Sequence, residues 1–166
     1  CMQSLKRGCA GMEYELLIQQ MRALLAGVED QVACLANASA LLNAALPNIN
    51  WVGFYLAKDG ALWLGPFQGA PACVRIGAGQ GVCGAAFAAD QTFRVGDVHS
   101  FPGHIACDPA SRSELVIPLH DAQGVPVAVL DIDSPVFGRF SEADEAGLSA
   151  IAKEIERAVW GNSVCM

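Results

Sequence analysis

The apolar residues change period at Pro47, and that change limits the fold more than any other feature of the chain. Before it, Tyr14, Leu17, Met21, Leu24 and Val28 recur at three- and four-residue steps. Val32, Leu35, Ser39, Leu42 and Leu46 share a second such stripe. The spacing predicts a helix from Glu13 that stops at Gly27, and another from about Asp30 to Leu46. Beyond Pro47-Asn48 the period is two. Trp51, Gly53 and Tyr55 point to one side of a strand; Val52, Phe54 and Leu56 point to the other. Lys58-Asp59-Gly60 is a turn, and Leu62 to Leu64 begins the returning strand.

Further on, the pattern predicts a short strand from Ala72 to Ile76 and a glycine-rich loop from Gly77 to Gly84. A short helix from Ala85 to Ala89 and a short strand from Thr92 to Val95 follow. Ser113 to Leu119 and Val125 to Asp133 form a hairpin around Asp121-Ala122-Gln123-Gly124. Ser141, with Asp144 three residues on, caps a last helix whose stripe is Leu148, Ile151, Ile155 and Val159, ending at Gly161. Two helices, a set of mostly antiparallel strands and a final helix make an α+β domain with helices against one sheet face. Gly96 to Arg112 has no period. Loops of that length in compact domains usually carry function. Residues 1–11 are expected to be an extension outside the fold, with Met12 as the start; 12–161 form one domain and 162–166 a tail.

Composition excludes whole classes. At 53% apolar and 16% charged the chain is not disordered. A net charge of -7 repels phosphate backbones, so no nucleic-acid partner is expected. No apolar run is long enough to span a membrane. No apolar stretch follows Leu5-Lys6-Arg7 as a signal peptide requires. The seven cysteines are an odd number, against a fully paired disulfide framework. The expected setting is a reducing, cytoplasmic one, where cysteines are structural, metal-binding or catalytic.

Gly79-Gln80-Gly81-Val82-Cys83-Gly84 matches the dinucleotide pattern G-x-G-x-x-G. The following helix is too short, and Asp90 and Asp97 stand too near for a ribose contact. The glycines are better explained by positive φ in a flexible loop.

Cys73, Cys83 and Cys107 lack the close pairing of a zinc site, so no metal is expected. They are either three buried thiols or, given their loop surroundings, exposed mobile ones: a redox nucleophile with resolving partners. Spacing alone leaves both open. Asp131 and Asp133 lie two apart on one strand face, and Glu114 on the adjacent strand can reach them. Crowded carboxyls raise one another's pKa, so one could hold a proton for acid catalysis; at a solvated strand end they would be merely hydrated. Trp51 and Tyr55 share one strand face, as core residues or as pocket walls. His99 and His104 bracket Phe101-Pro102-Gly103 and read as ordinary loop histidines, although either could activate Cys107. His120 carries no signal.

Longer stretches carry a resemblance. Asn37-Ala38-Ser39-Ala40-Leu41-Leu42, Asn50-Trp51-Val52-Gly53-Phe54-Tyr55, Leu64-Gly65-Pro66-Phe67-Gln68-Gly69 and Gly81-Val82-Cys83-Gly84 resemble the free methionine-(R)-sulfoxide reductases. So do Pro102-Gly103-His104-Ile105-Ala106-Cys107-Asp108, Ser113-Glu114 and Leu130-Asp131-Ile132-Asp133-Ser134. The likeness runs from about residue 14 to 160. Gly96, where the family has Pro, departs from it at no catalytic position.

The resemblance implies a single GAF-type domain: a central, mostly antiparallel sheet, helices on one face and a ligand pocket under loops on the other. It implies Cys107 as nucleophile, Cys73 as main resolving thiol and Cys83 as a secondary one, with a Cys73–Cys107 disulfide in the oxidised protein. Trp51, Tyr55, Glu114, Asp131 and Asp133 would line the substrate pocket. The implied reaction reduces free methionine sulfoxide through a sulfenic acid and a disulfide, with a thioredoxin-type dithiol as reductant and no cofactor. A homodimer is compatible with it. A non-catalytic GAF module that binds a small molecule is the alternative, although such a module has no need of three loop cysteines.

Overall fold

The computed structural model describes residues 2–161, with side chains from residue 14 onward. The expected tail at 162–166 and the side chains of Cys1, Cys9 and Cys165 lie outside the described residues. Helix α1 spans Met2–Leu25 and α2 spans Gln31–Ala45. Then come strands β1 (Trp51–Lys58), β2 (Ala61–Gly69) and β3 (Arg75–Gly77), helix α3 (Gly81–Ala89) and strand β4 (Phe93–Val95). After a 3₁₀ turn at Val98–Ser100 the chain forms β5 (Ser113–His120), β6 (Pro126–Ser134) and α4 (Glu142–Val159). The strands make one sheet in the order β3-β2-β1-β6-β5-β4, and each neighbouring pair is antiparallel.

Local chemistry explains the boundaries. Asp30 accepts from the Ala33 amide at 2.8 Å and opens α2. Ser141 and Asp144 close the expected capping box at α4. Asp59 and Gly60, both at positive φ, make the tight turn between β1 and β2.

The period-two pattern sorts the sheet faces as expected. Val52, Phe54, Leu115, Ile117, Leu119, Leu130 and Ile132 pack under α1, α2 and α4 with Leu35, Leu42, Leu148, Ile151 and Ile155. Truncating one such side chain, as in Leu130→Ala, costs about 2–5 kcal/mol. The opposite face carries Trp51, Tyr55, Val116 and Val129 beneath Val82, Cys83 and Ala86 of α3.

Several expectations need correction. Helix α1 begins well before Glu13. Leu24 is 38% exposed, and Leu25, one turn beyond Met21, takes its place in the core. Val32 is 62% exposed, and the buried face of α2 is formed instead by Cys34, Leu35, Ala38, Ser39 and Leu42. Not every helix lies on one face: α3 covers the other. It also starts at Gly81, which converts half of the expected glycine loop into helix. Position 84 within that helix takes glycine because a Cβ would meet the Gly77 carbonyl oxygen at 2.7 Å.

Candidate active site

Two glycines prepare the pocket face of β1. Trp51 stacks on Phe67 at 5.2 Å between centroids and on Tyr55 at 5.9 Å. A Cβ on Gly53 would strike Trp51 Cη2 at 2.8 Å, and one on Gly69 would strike Trp51 Cδ1 at 2.5 Å. Only glycine leaves the indole flat in that slot. Trp51 Nε1 donates to the Ala70 carbonyl at 3.1 Å, and Tyr55 Oη donates to the Cys73 carbonyl at 2.9 Å. The two aromatics therefore fix the segment that carries Cys73.

Register assembles the carboxyls. Trp51 stands opposite Asp133 and Gly53 opposite Asp131 across β1–β6; Glu114 stands opposite Asp133 across β5–β6. All three acids share the pocket face. Glu114 and Asp131 are each only 6% exposed, and Asp133 is half-buried, so the strand end is not solvated. Burial, with repulsion from Asp131 and Asp133, pushes Glu114 well above the usual carboxylate range. Burial and repulsion from Asp131 and Asp108 do the same to Asp133. Burial raises Asp131 to about 6, opposed by hydrogen bonds from Glu114 and Cys83. Burial and crowding thus favour the protonated forms of Glu114 and Asp133, next to Asp131 as the more acidic member of the cluster. Asp131 Oδ1 is buried without a hydrogen-bond partner.

Cys73 and Cys107 are joined in a disulfide with Cα atoms 5.4 Å apart. Both are half-buried. Of the two readings left open for Cys83, the buried one holds: it lies on α3 and donates to Glu114 Oε1 at 3.7 Å. A helix N-terminus ordinarily acidifies a thiol. Here burial, with the Asp131 carboxylate and the neighbouring acids, prevails and pushes Cys83 well above the usual thiol range.

The sulfur of Cys83 and oxygens of Glu114 and Asp131 lie within 4.8 Å of one another, close enough to ligate one metal ion. A metal ligand must first lose its proton. Cys83 and Glu114 are held protonated, so the cluster suits proton donation better than cation binding.

A cavity of about 40 Å³ lies between these groups, the space of a few waters. Its walls include Trp51, Tyr55, Cys83, Cys107, Glu114, Asp131 and Asp133, so seven of the eight expected site residues meet there and Cys73 stands behind Cys107. Ala72, Ile76, Gln80, Gly81 and Val82 line it from the stretch between β2 and the start of α3, and His104, Ile105, Asp108 and Ser111 from the long loop; the sequence had not named them one by one. Gln80 and Gly81 belong to the dinucleotide-like motif. Their part is the first turn of α3, whose N–H groups have no intrahelical acceptor. Burial and His99 lower the pKa of His104, which favours the neutral ring. His120 is held instead between Asp90 at 2.6 Å and Glu156 at 2.8 Å, away from this cavity.

Residues 21–159 match the GAF domain family. A protein of Escherichia coli (strain K12) named free methionine-R-sulfoxide reductase is 53% identical over 146 residues, covering 88% of each chain. The structure of fRMsr of Staphylococcus aureus in complex with substrate is 49% identical, with a TM-score of 0.84 over 88% of this chain and 95% of that one. A putative GAF sensor protein from Burkholderia vietnamiensis is 47% identical, with a TM-score of 0.89 over 92% of this chain and 96% of that one. The chain belongs to the GAF domain family and, within it, to the free methionine-R-sulfoxide reductases.

Proposed function

We propose that this chain reduces free L-methionine-(R)-sulfoxide to methionine, with Cys107 as nucleophile and Cys73 as resolving thiol. The observation that carries the reading is the placement of Cys107. It is bonded to Cys73 on one side and faces, across the cavity, acids that burial keeps protonated.

The Cys107 thiolate attacks the sulfoxide sulfur. The sulfoxide oxygen is a poor leaving group until protonated, and Glu114 or Asp133 supplies the proton. With a second proton from the acid cluster the oxygen leaves as water while a bond forms between the Cys107 and methionine sulfurs. Water then attacks the Cys107 sulfur and returns a proton, methionine departs with the electron pair of the sulfur–sulfur bond, and Cys107 is left as a sulfenic acid. The Cys73 thiol attacks the sulfenic sulfur, its proton and the sulfenic hydroxyl leave together as water, and the disulfide forms, which prevents overoxidation. A dithiol of the thioredoxin type returns both thiols by exchange. Trp51 packs against the substrate methyl group. The unpaired Asp131 Oδ1 accepts from the substrate ammonium, and the first turn of α3 takes its carboxylate. A ligand-sensing module would need neither a pair of bonded thiols at the pocket nor a set of protonated acids.

Thioredoxin-coupled turnover of the two separated epimers of free methionine sulfoxide tests the reading. The (R) epimer is consumed and the (S) epimer is not. No methionine from either epimer, or full activity in Cys107→Ser, refutes it.

A further inference from the structure

Tyr55 serves two neighbours at once. Its ring forms part of the cavity wall, and its hydroxyl donates to the Cys73 carbonyl at 2.9 Å. The residue is only 2% exposed, and a buried phenol needs an acceptor. Burial and the neighbouring Asp131, Cys83, Asp133 and Glu114 push its pKa up, so the donor proton stays in place. With four acidic groups nearby, the hydroxyl still bonds to a backbone carbonyl. That carbonyl lies in an irregular segment: residues 70–73 belong to no helix or strand, and Pro71 has no N–H to give. Trp51 Nε1 holds the start of the segment at the Ala70 carbonyl, 3.1 Å away, and Tyr55 holds its end. Just beyond, the Val74 carbonyl accepts from the Leu64 amide at 2.9 Å. Cys73 is half-buried and packs against the pocket-side cluster of Trp51, Tyr55 and Ile76. Its Cα is 5.4 Å from that of Cys107, a spacing that disulfide formation requires.

We propose that the Tyr55 hydroxyl is a positioning group for the resolving step: by holding the Cys73 carbonyl, it keeps the Cys73 thiol within reach of Cys107 when the disulfide is open. This rests on the reductase reading above and gives a second task to a residue placed there only as a pocket wall. In the resolving step Cys73 Sγ bonds to the sulfenic sulfur of Cys107, and the sulfenic hydroxyl leaves with the thiol proton as water. A sulfenic acid is short-lived in the presence of oxidant, because a second oxidation takes it to a sulfinic acid that thiols do not reduce. A thiol already in place wins that race; a thiol that must find its partner by backbone movement loses part of it. Without the Tyr55 bond, the Cys73 end of the segment loses its side-chain anchor while the Ala70 end keeps Trp51.

The test measures that race in Tyr55→Phe, which keeps the ring and loses the donor. Reduced enzyme is treated with graded hydrogen peroxide, and mass spectrometry counts Cys107 as disulfide or as sulfinic acid. The Cys107 thiolate takes one peroxide oxygen and releases the other as hydroxide, which is protonated to water; a second peroxide oxidises the sulfenic acid and is likewise reduced to water. The peroxide concentration that sends half of Cys107 to the sulfinic acid is expected to fall about 10-fold in Tyr55→Phe. This partition compares resolution with the second oxidation, so a slower first step or a lower melting temperature does not move it. Tyr55→4-aminophenylalanine, which keeps an N–H donor at the same ring position, is expected to restore the unmutated partition. An unchanged partition in Tyr55→Phe, or no recovery with the amino ring, overturns the proposal. The reductase reading is tested separately in the unmutated enzyme. If it forms the disulfide with peroxide but no methionine from the free sulfoxide, that reading fails while the positioning role stands.

Discussion

Asn50 Nδ2 donates to Asp108 Oδ2 at 2.9 Å, which ties the residue after Cys107 to the residue before β1. The same nitrogen reaches Ser111 Oγ at 3.1 Å, and the Asn50 amide donates to the Asp133 carbonyl at 2.9 Å. Asn50 therefore bridges the loop that carries Cys107, through its side chain, and the strand that carries Asp133, through its backbone. Asn50→Ala is expected to cost about 1–3 kcal/mol of stability. It should lower kcat/KM by about 10-fold or more, because a nucleophile displaced by about 1 Å loses rate steeply. Thermal melting and steady-state turnover check both. Unchanged turnover in a variant of lowered stability would show that the tie is structural only.

Burial of Cys83 separates the roles of the two candidate resolving thiols. Cys107→Ser is expected to abolish formation of methionine in a single turnover. Cys73→Ser should still complete one turnover, then recycle at least 10-fold more slowly, because the attacking species is the thiolate and Cys83 is held protonated. Rapid-quench measurement of methionine distinguishes first turnover from later ones. Equal loss of the first turnover in both variants would overturn the assignment.

The acids predict opposite effects at the two ends of the pH range. Below about 6, Asp131 takes up a proton and no longer attracts an ammonium, so KM rises while kcat holds. At alkaline pH, Glu114 and Asp133 lose their protons and kcat falls. Glu114→Gln, which has no acidic proton, should lower the rate by about 10²–10⁴-fold if Glu114 is the donor. Because the folded pKa of Asp131 is raised, its native carboxyl binds more protons than the unfolded one between about 4 and about 6, so its contribution to stability declines as pH rises through that window. A flat pH profile of both KM and kcat would sink this account.

The period change at Pro47 made the layers legible, because alternation assigns each strand residue to a face without knowledge of its neighbours. It placed Trp51, Asp131 and Asp133 on one face, and strand pairing did the rest. That two irregular segments cover the pocket was legible, but which of their residues, such as Gln80, Ile105 and Ser111, form the wall was not, because no period governs how those segments fold over the sheet. The burial of Cys83 was hidden for a related reason. Glycines at 79, 81 and 84 looked like flexibility, but Gly84 serves close packing of α3 on Gly77. Leu24 was misplaced because a three-residue step from Met21 fits the stripe as well as the four-residue step to Leu25 that the sheet selects.

His120 received no weight in the sequence, yet it links three elements: Asp90 ends α3, and Glu156, itself bonded to Lys153, lies on α4. Partial burial lowers the pKa of His120, but the bonds from Glu156 and Asp90 outweigh it and raise the pKa overall. A raised histidine stabilises fully below its unfolded value near 6.5, and the contribution is lost as pH rises through the folded pKa. The melting temperature should therefore fall as pH rises above that value in the unmutated protein and fall less in His120→Gln. Parallel melting curves for the two proteins across that range would refute the link.

Selectivity for the free amino acid follows from the enclosure of the cavity. The first turn of α3 and residues of the segment from His104 to Ser111 line the cavity over the sheet face, so the flanking chain of a polypeptide would have to pass between them. A peptide-bound methionine sulfoxide also lacks the ammonium that Asp131 Oδ1 would accept and the carboxylate that α3 would hold. Leaving each buried partner unpaired costs about 1–3 kcal/mol. Two such losses give at least about 30-fold discrimination before steric exclusion is counted. The measurement compares kcat/KM for free L-methionine-(R)-sulfoxide with that for the same residue blocked by N-acetyl and C-amide groups. The blocked substrate is expected to be the poorer by that factor or more. Restoring only the free amino group should recover part of the loss in the unmutated enzyme and none in Asp131→Asn. Comparable values for the free and blocked substrates would refute the enclosed-site account, even with the cysteine chemistry intact.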